Sequence, residues 1–252
     1  MTFLASTDFL YRVSRGLVPG HKITPFVLRK RGLGSTLEDI GSVPGSITLQ
    51  AAAGIVTLVS TSILDNGVTP GTGARTILIE GLDANFNEAT EVVNLNGTVA
   101  VATAASFLRI HKMTVAAAGS TKANQGTITA TIGGANQCVI SVSTVGGVNG
   151  DNVSYQANYT VPNGKTAYIL KAFVSTGKNQ SGHIGLWVRP LATGVFQEGF
   201  QTDVYQLFAF ADFEYNAGFP AKTDVLVRGF NTAAGVIDMF AFLGLLVVDD
   251  GA

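Results

Sequence analysis

The chain is poor in charge, in cysteine and in proline. Of its 252 residues only 13% are charged, one is cysteine and seven are proline, against 30 glycines and a hydrophobic share of 46%. A single cysteine, Cys138, excludes an intramolecular disulfide framework and any multi-cysteine metal site. No uninterrupted apolar run reaches the roughly 18 residues that a membrane-spanning helix requires. The longest candidate, Val236 to Val248, is interrupted by Asp238. The opening stretch, MTFLASTDFLYRVSRG, lacks the positive start and apolar run of a secretory signal. A mean hydropathy of +0.33 argues against disorder.

The few charges are sorted. Residues 1–31 hold Arg12, Arg15, Lys22, Arg29, Lys30 and Arg31 against Asp8 alone, whereas the remainder is net acidic. The pattern suggests an extended N-terminal arm, residues 1–49, that docks on a negative surface. Nucleic acid is the disfavoured partner, because apolar residues such as Leu17, Ile23 and Phe26 interleave with the cations and no known binding motif surrounds them. A protein partner fits better, with those six cations as its docking residues.

The rest reads as strands. Thr76–Glu80 leads into the polar turn Gly81–Asn87, and Glu88–Leu95 returns to end at Asn96-Gly97, a strong hairpin signal. Gly126–Ile132 alternates Thr127, Thr129 and Thr131 with Ile128, Ala130 and Ile132, as a half-buried strand does. Phe196–Asp212 reads as two strands with a bend. About a dozen strands and no convincing amphipathic helix predict an all-β fold of β-sandwich or jelly-roll modules. The aromatic-poor stretch 50–134 forms a small sandwich-like module. Residues 135–252, with Trp187 and a dense phenylalanine series, form a jelly-roll-like one, the boundary falling near Gly133-Gly134.

Catalytic patterns are scarce. His21, His111 and His183 have no paired spacing for a metal. Gly71-Thr72-Gly73-Ala74-Arg75 lacks the remaining features of a phosphate-binding loop and precedes a strand. Asp83–Glu88 begins like a calcium loop, but Glu88 stands where that loop needs glycine; a turn-borne site of another kind stays open. Asp203, Asp212 and Glu214 are candidate carboxylates that nothing distinguishes from surface acids. Trp187, Tyr205 and Tyr215 offer rings on which a sugar would stack, or else pack in the core. The expectation is a non-enzyme with no cofactor and no metal.

Three phrases resemble a family. Val13-Ser14-Arg15-Gly16-Leu17-Val18-Pro19-Gly20-His21, the stretch from Gly71 to Gly97, and Tyr159-Thr160-Val161-Pro162-Asn163-Gly164-Lys165-Thr166-Ala167-Tyr168 are similar to segments of β-rich virion structural proteins of tailed bacteriophages. The resemblance implies a particle component located in the virion. A capsid decoration or cement protein is the first reading, partnered by the major capsid protein or other virion proteins and assembled as a homo-oligomer, with a trimer favoured. A tail, adaptor or fibre-associated protein, or a carbohydrate- or receptor-binding module, is the alternative. The matching phrases contain no catalytic residue.

Overall fold

In the computed structural model, the residues described are 6–142, 150–177, 179–191, 193–205, 208–212 and 218–252. A nine-residue helix, α1 (Ser6–Ser14), comes first; Val13 is buried and the Phe9 ring meets His21 edge-on at 5.5 Å. This short helix departs from the expectation of no amphipathic helix. After α1 come β1 (His21–Leu33) and the short β2 (Glu38–Asp39). Seven strands of a small module follow: β3 (Gly54–Ser60), β4 (Ala74–Leu82), β5 (Glu88–Asn94), β6 (Val101–Phe107), β7 (Arg109–Ala118), β8 (Ile128–Ile132) and β9 (Ala135–Ile140). Seven more complete the chain: β10 (Asn158–Thr160), β11 (Lys165–Thr176), β12 (Ser181–Arg189), β13 (Gln197–Tyr205), β14 (Phe208–Asp212), β15 (Asp224–Asn231) and β16 (Ile237–Asp249).

The large body is an eight-stranded jelly roll. One sheet runs β1-β16-β11-β14 and the facing sheet β10-β15-β12-β13, with β2 extending the second along β15. Numbering β1 and β10 to β16 as strands one to eight, the sheets read 1-8-3-6 and 2-7-4-5. That is the order two interlocked Greek keys produce. Alternation builds the core: Phe26 and Leu28 of β1, Ile169 of β11, and Ala241, Leu243, Leu245 and Val247 of β16 meet Ile184, Leu186, Val225 and Val227 of the facing sheet. The small module sits wholly between the first and second strands of the roll. Its sheets, β6-β3-β8-β9 and β5-β4-β7, enclose a separate core of Val56, Leu58, Ile77, Ile79, Phe107, Met113, Ile128 and Cys138.

Three expected features take a different form. Residues 21–33 do not stand clear as an arm. They are paired with β16 from His21↔Val248 to Leu33↔Ile237, with one bulge, and form the first strand of the roll. Gly133-Gly134 is no boundary either. Both residues have positive φ, 57° and 82°, and make the turn of the β8–β9 hairpin inside the small module. Asn96-Gly97 likewise closes no hairpin: β5 and β6 belong to different sheets, and the turn carries the chain between them.

The Gly97 N–H donates to the backbone carbonyl of Asp65 at 2.9 Å, and the carboxylate of that residue is buried. Asp65 is the one charged residue between Asp39 and Arg75. Its Oδ1 accepts from the Ala74 and Gln125 backbone N–H groups, each at 2.8 Å, and its Oδ2 from Gly126 N–H at 2.8 Å and Ser60 Oγ at 2.7 Å. Gly73 packs so closely that an added Cβ would lie 2.2 Å from Asp65 Oδ1. The glycine-rich loop therefore folds around an internal anion. Asp65→Asn would turn an amide N–H toward a fixed backbone donor. It is expected to cost about 1–3 kcal/mol, the penalty of one orphaned buried donor. Urea unfolding of both proteins measures the difference.

Candidate functional site

The six arm cations divide by element. Arg12 and Arg15 are exposed on and just after α1, with the Arg15 guanidinium 5.7 Å from the centre of the Tyr11 ring. The other four lie on β1 and pair with carboxylates of the same chain, Lys22 and Arg31 at exposed positions and Lys30 in a buried one. Lys22 pairs with Glu88 at 3.5 Å, and Arg31 reaches Asp151 at 3.5 Å. Arg29 also pairs with Asp151 and stacks on Tyr155 at 4.1 Å. Lys30, only 7% exposed, pairs with Glu38 at 2.9 Å. Arg29, Lys30 and Arg31 thus tie the first strand of the roll to the entry and exit of the inserted module, and Lys22 ties it to β5.

The two bodies meet at Asp224, the first residue of β15. Its side chain is 5% exposed and accepts from three others. Arg109 of β7 donates Nε to Oδ1 at 2.9 Å and Nη2 to Oδ2 at 3.3 Å. Arg189 of β12 donates Nε at 3.0 Å and Nη2 at 2.6 Å to Oδ2. Thr160 of β10 donates Oγ1 to Oδ1 at 2.6 Å. Burial alone would raise the Asp224 pKa, but the Arg109 and Thr160 hydrogen bonds, the Arg109 charge and Arg189 outweigh it and hold it below the usual carboxylate range. The same Thr160 donates its backbone N–H to His111 Nε2 at 3.1 Å. That bond needs a ring lone pair; burial and the nearby Arg109 charge push His111 down to about 3. No residue of this junction was singled out from the sequence for the role it has here, because its partners lie 35 to 115 positions apart.

Beside the junction, a cleft of about 580 Å³ opens between β1 and the β4–β5 and β7 face of the module. Its charged walls are self-neutralising. Lys22 faces Glu88, and Lys112 faces Glu80 at 3.9 Å, with His111, Tyr155 and Tyr159 between them.

The remaining candidates are dispersed. His183 Nδ1 lies 2.8 Å from Asp203 Oδ1 and its ring stacks on Phe230 at 4.9 Å. Glu214, Tyr215 and the Asp212 side chain lie outside the described residues. Asp83 makes an exposed turn: its carboxylate accepts from the Asn85 and Asn87 N–H groups at 2.8 and 2.9 Å. Partial desolvation works against its charge, yet those bonds hold its pKa below the ordinary value. Among the described residues, no three His, Cys, Asp or Glu side chains gather as a metal set. Cys138 is buried, which pushes its thiol up to about 12. Trp187 is half-buried, while Tyr205 is 68% exposed near the end of β13. Strand β13 itself, the outer strand of its sheet, exposes both faces from Gln197 to Gln201.

No protein-family model matches the chain, and no curated protein matches it in sequence. Among solved structures it is similar to the STIV MCP, at 9% identity, covering 89% of this chain and 96% of that one with a TM-score of 0.24. It is also similar to the VP2 subviral particle of infectious bursal disease virus, at 9% identity, covering 92% of this chain and 81% of that one with a TM-score of 0.15. TM-scores this low establish no common fold.

Proposed function

We propose that the chain is a structural protein of a virion, a capsid decoration or cement protein that works by covering a shell lattice. The observation that carries the reading is the body itself. It is a complete eight-strand jelly roll, an architecture shared by viral capsid and lectin domains, and one of its outer strands, β13, exposes both faces. An isolated domain gains nothing from such a strand, whereas an assembling one covers it with a neighbour. The phage-like phrases run from α1 to β11 and support the same reading. Scarcity of surface charge suits a molecule whose outside becomes interface.

The docking surface is smaller than six cations. With the β1 cations paired to carboxylates of the same chain, the exposed Arg12 and Arg15 beside the exposed Tyr11 are the pair offered to an acidic lattice. Purified particles are expected to contain the chain in many copies, with its density on the shell in electron cryo-microscopy. The double variant Arg12→Glu, Arg15→Glu should fold normally yet bind particles about tenfold or more weakly, since reversed rim charges oppose an acidic surface. Absence from purified particles would sink the reading. Density confined to the tail would favour a tail or adaptor protein instead.

A further inference from the structure

The cleft of about 580 Å³ between β1 and the inserted module has the size of a site for a small organic ligand. Uncharged polar groups without partners line it. His111 Nε2 accepts from the Thr160 N–H, so the neutral ring carries its proton on Nδ1. Among the described residues that Nδ1–H finds no acceptor, and the hydroxyls of Thr24 and Tyr159, which also line the cleft, have no hydrogen-bond partner. The sealed side-chain atoms that lack a partner are Thr114 Oγ1, Gln156 Oε1, Asn158 Oδ1 and Thr223 Oγ1. The three cleft groups are not among them, so each keeps access to open space, although Tyr159 as a whole is only 6% exposed. The ion pairs at the rim are loose. Lys22–Glu88 at 3.5 Å and Lys112–Glu80 at 3.9 Å join exposed side chains, and Glu88 also meets Lys165 at 3.8 Å. Such exposed pairs hold their partners weakly and can bond a ligand as well.

These features select the ligand chemistry. An anion would meet Glu80 and Glu88, and a cation Lys22 and Lys112. A purely apolar ligand would leave the His111, Thr24 and Tyr159 groups covered and unpaired. An extended peptide would have to pair along the outer edge of β1, where Pro25 offers no N–H. A sugar hydroxyl both donates and accepts, so it can serve the His111 donor, the two protein hydroxyls and the carboxylates and ammonium groups of the rim alike. Pro25, Val27 and Val153 supply apolar wall for the C–H faces of a sugar ring. We propose that this cleft binds a neutral mono- or disaccharide, free or at the end of a longer glycan, held between β1 and the inserted module. The site does not depend on the virion reading.

The test applies the full chain to an array of neutral and sialylated glycans, then titrates neutral mono- and disaccharides as free sugars by calorimetry. Saturable binding of a neutral saccharide is expected; binding to the array without binding of any free sugar would assign the site to glycan ends. Thr24→Val and Tyr159→Phe each remove one hydroxyl and should weaken binding about three- to tenfold, the worth of one hydrogen bond. Thermal unfolding verifies that each variant is folded, and if Tyr159→Phe is not, Thr24→Val at its half-buried position carries the comparison. Binding of no neutral saccharide, or of sialylated glycans only, overturns the proposal. So does binding that survives both substitutions undiminished, or that is lost in Tyr205→Ala and kept in Thr24→Val, which would place it on the exposed ring of β13.

Discussion

Deleting residues 1–33 is expected to abolish folding of the jelly roll, whereas deleting residues 1–16 is expected to leave it folded. The longer deletion removes β1, and with it Phe26, Leu28 and Leu33, of which the two leucines are fully buried. Losing a large buried side chain costs about 2–5 kcal/mol. Three together therefore rival the whole stability of a domain, about 5–15 kcal/mol. The cut also strips the pairing from one side of β16, the long strand that sits second in its sheet. The shorter cut takes α1, whose buried contribution is centred on Val13, and leaves every strand pair intact. Circular dichroism and gel filtration separate the two outcomes. A soluble, cooperatively unfolding body lacking 1–33 would mean that β1 is a dispensable arm after all.

The contrast between arm and strand shows what the sequence could convey. Local patterns are readable: Ile128, Ala130 and Ile132 are buried in β8 as their alternation requires, and a turn does join β4 to β5, though it is confined to Asp83–Asn87 because Gly81 and Leu82 still pair in β4. The break between β13 and β14 falls within the bent segment, although these strands enter different sheets. Residues 21–33 look unlike a core strand because they carry four cations and Pro25. Pro25 is tolerated there because β1 is an edge strand, so the missing N–H interrupts no ladder on the outer side. The cations are tolerated because Asp151, some 120 positions away, meets two of them. Nothing local announces that partner. Asp65 did leave a trace, as a lone charge in an otherwise uncharged stretch, while Asp224 left none, since it sits among ordinary acids of the second half.

Asp224→Ala should be among the most damaging point substitutions in this chain, at about 3–5 kcal/mol, the usual cost of breaking a buried ion pair by removing one partner. It leaves the Arg109 guanidinium, itself 5% exposed, without its counter-charge, and frees Arg189 and Thr160 at the same stroke. Asp224→Asn retains an acceptor for Thr160 and should lose less, though it cannot neutralise two guanidinium groups. The junction also fixes the direction of the pH dependence. Asp224 has a folded pKa below its unfolded value of about 3.9. Its contribution is therefore complete above that value and is lost as the pH falls through the folded one. His111 acts earlier. It stays neutral in the fold down to about 3, whereas the unfolded imidazole takes up a proton below about 6.5. Between those limits the unfolded state binds the extra proton, so stability falls on acidification, by at most about 1.4 kcal/mol per pH unit from this group. Urea unfolding from pH 7.5 to 4.5 should show that slope in the parent protein. It should be much shallower in His111→Gln, whose amide oxygen still accepts from Thr160 but takes up no proton. An identical slope in both would show that His111 does not carry the effect. Because Thr160 donates to His111 through its backbone and to Asp224 through its hydroxyl, acid acts on the contact between module and roll before it acts on either core.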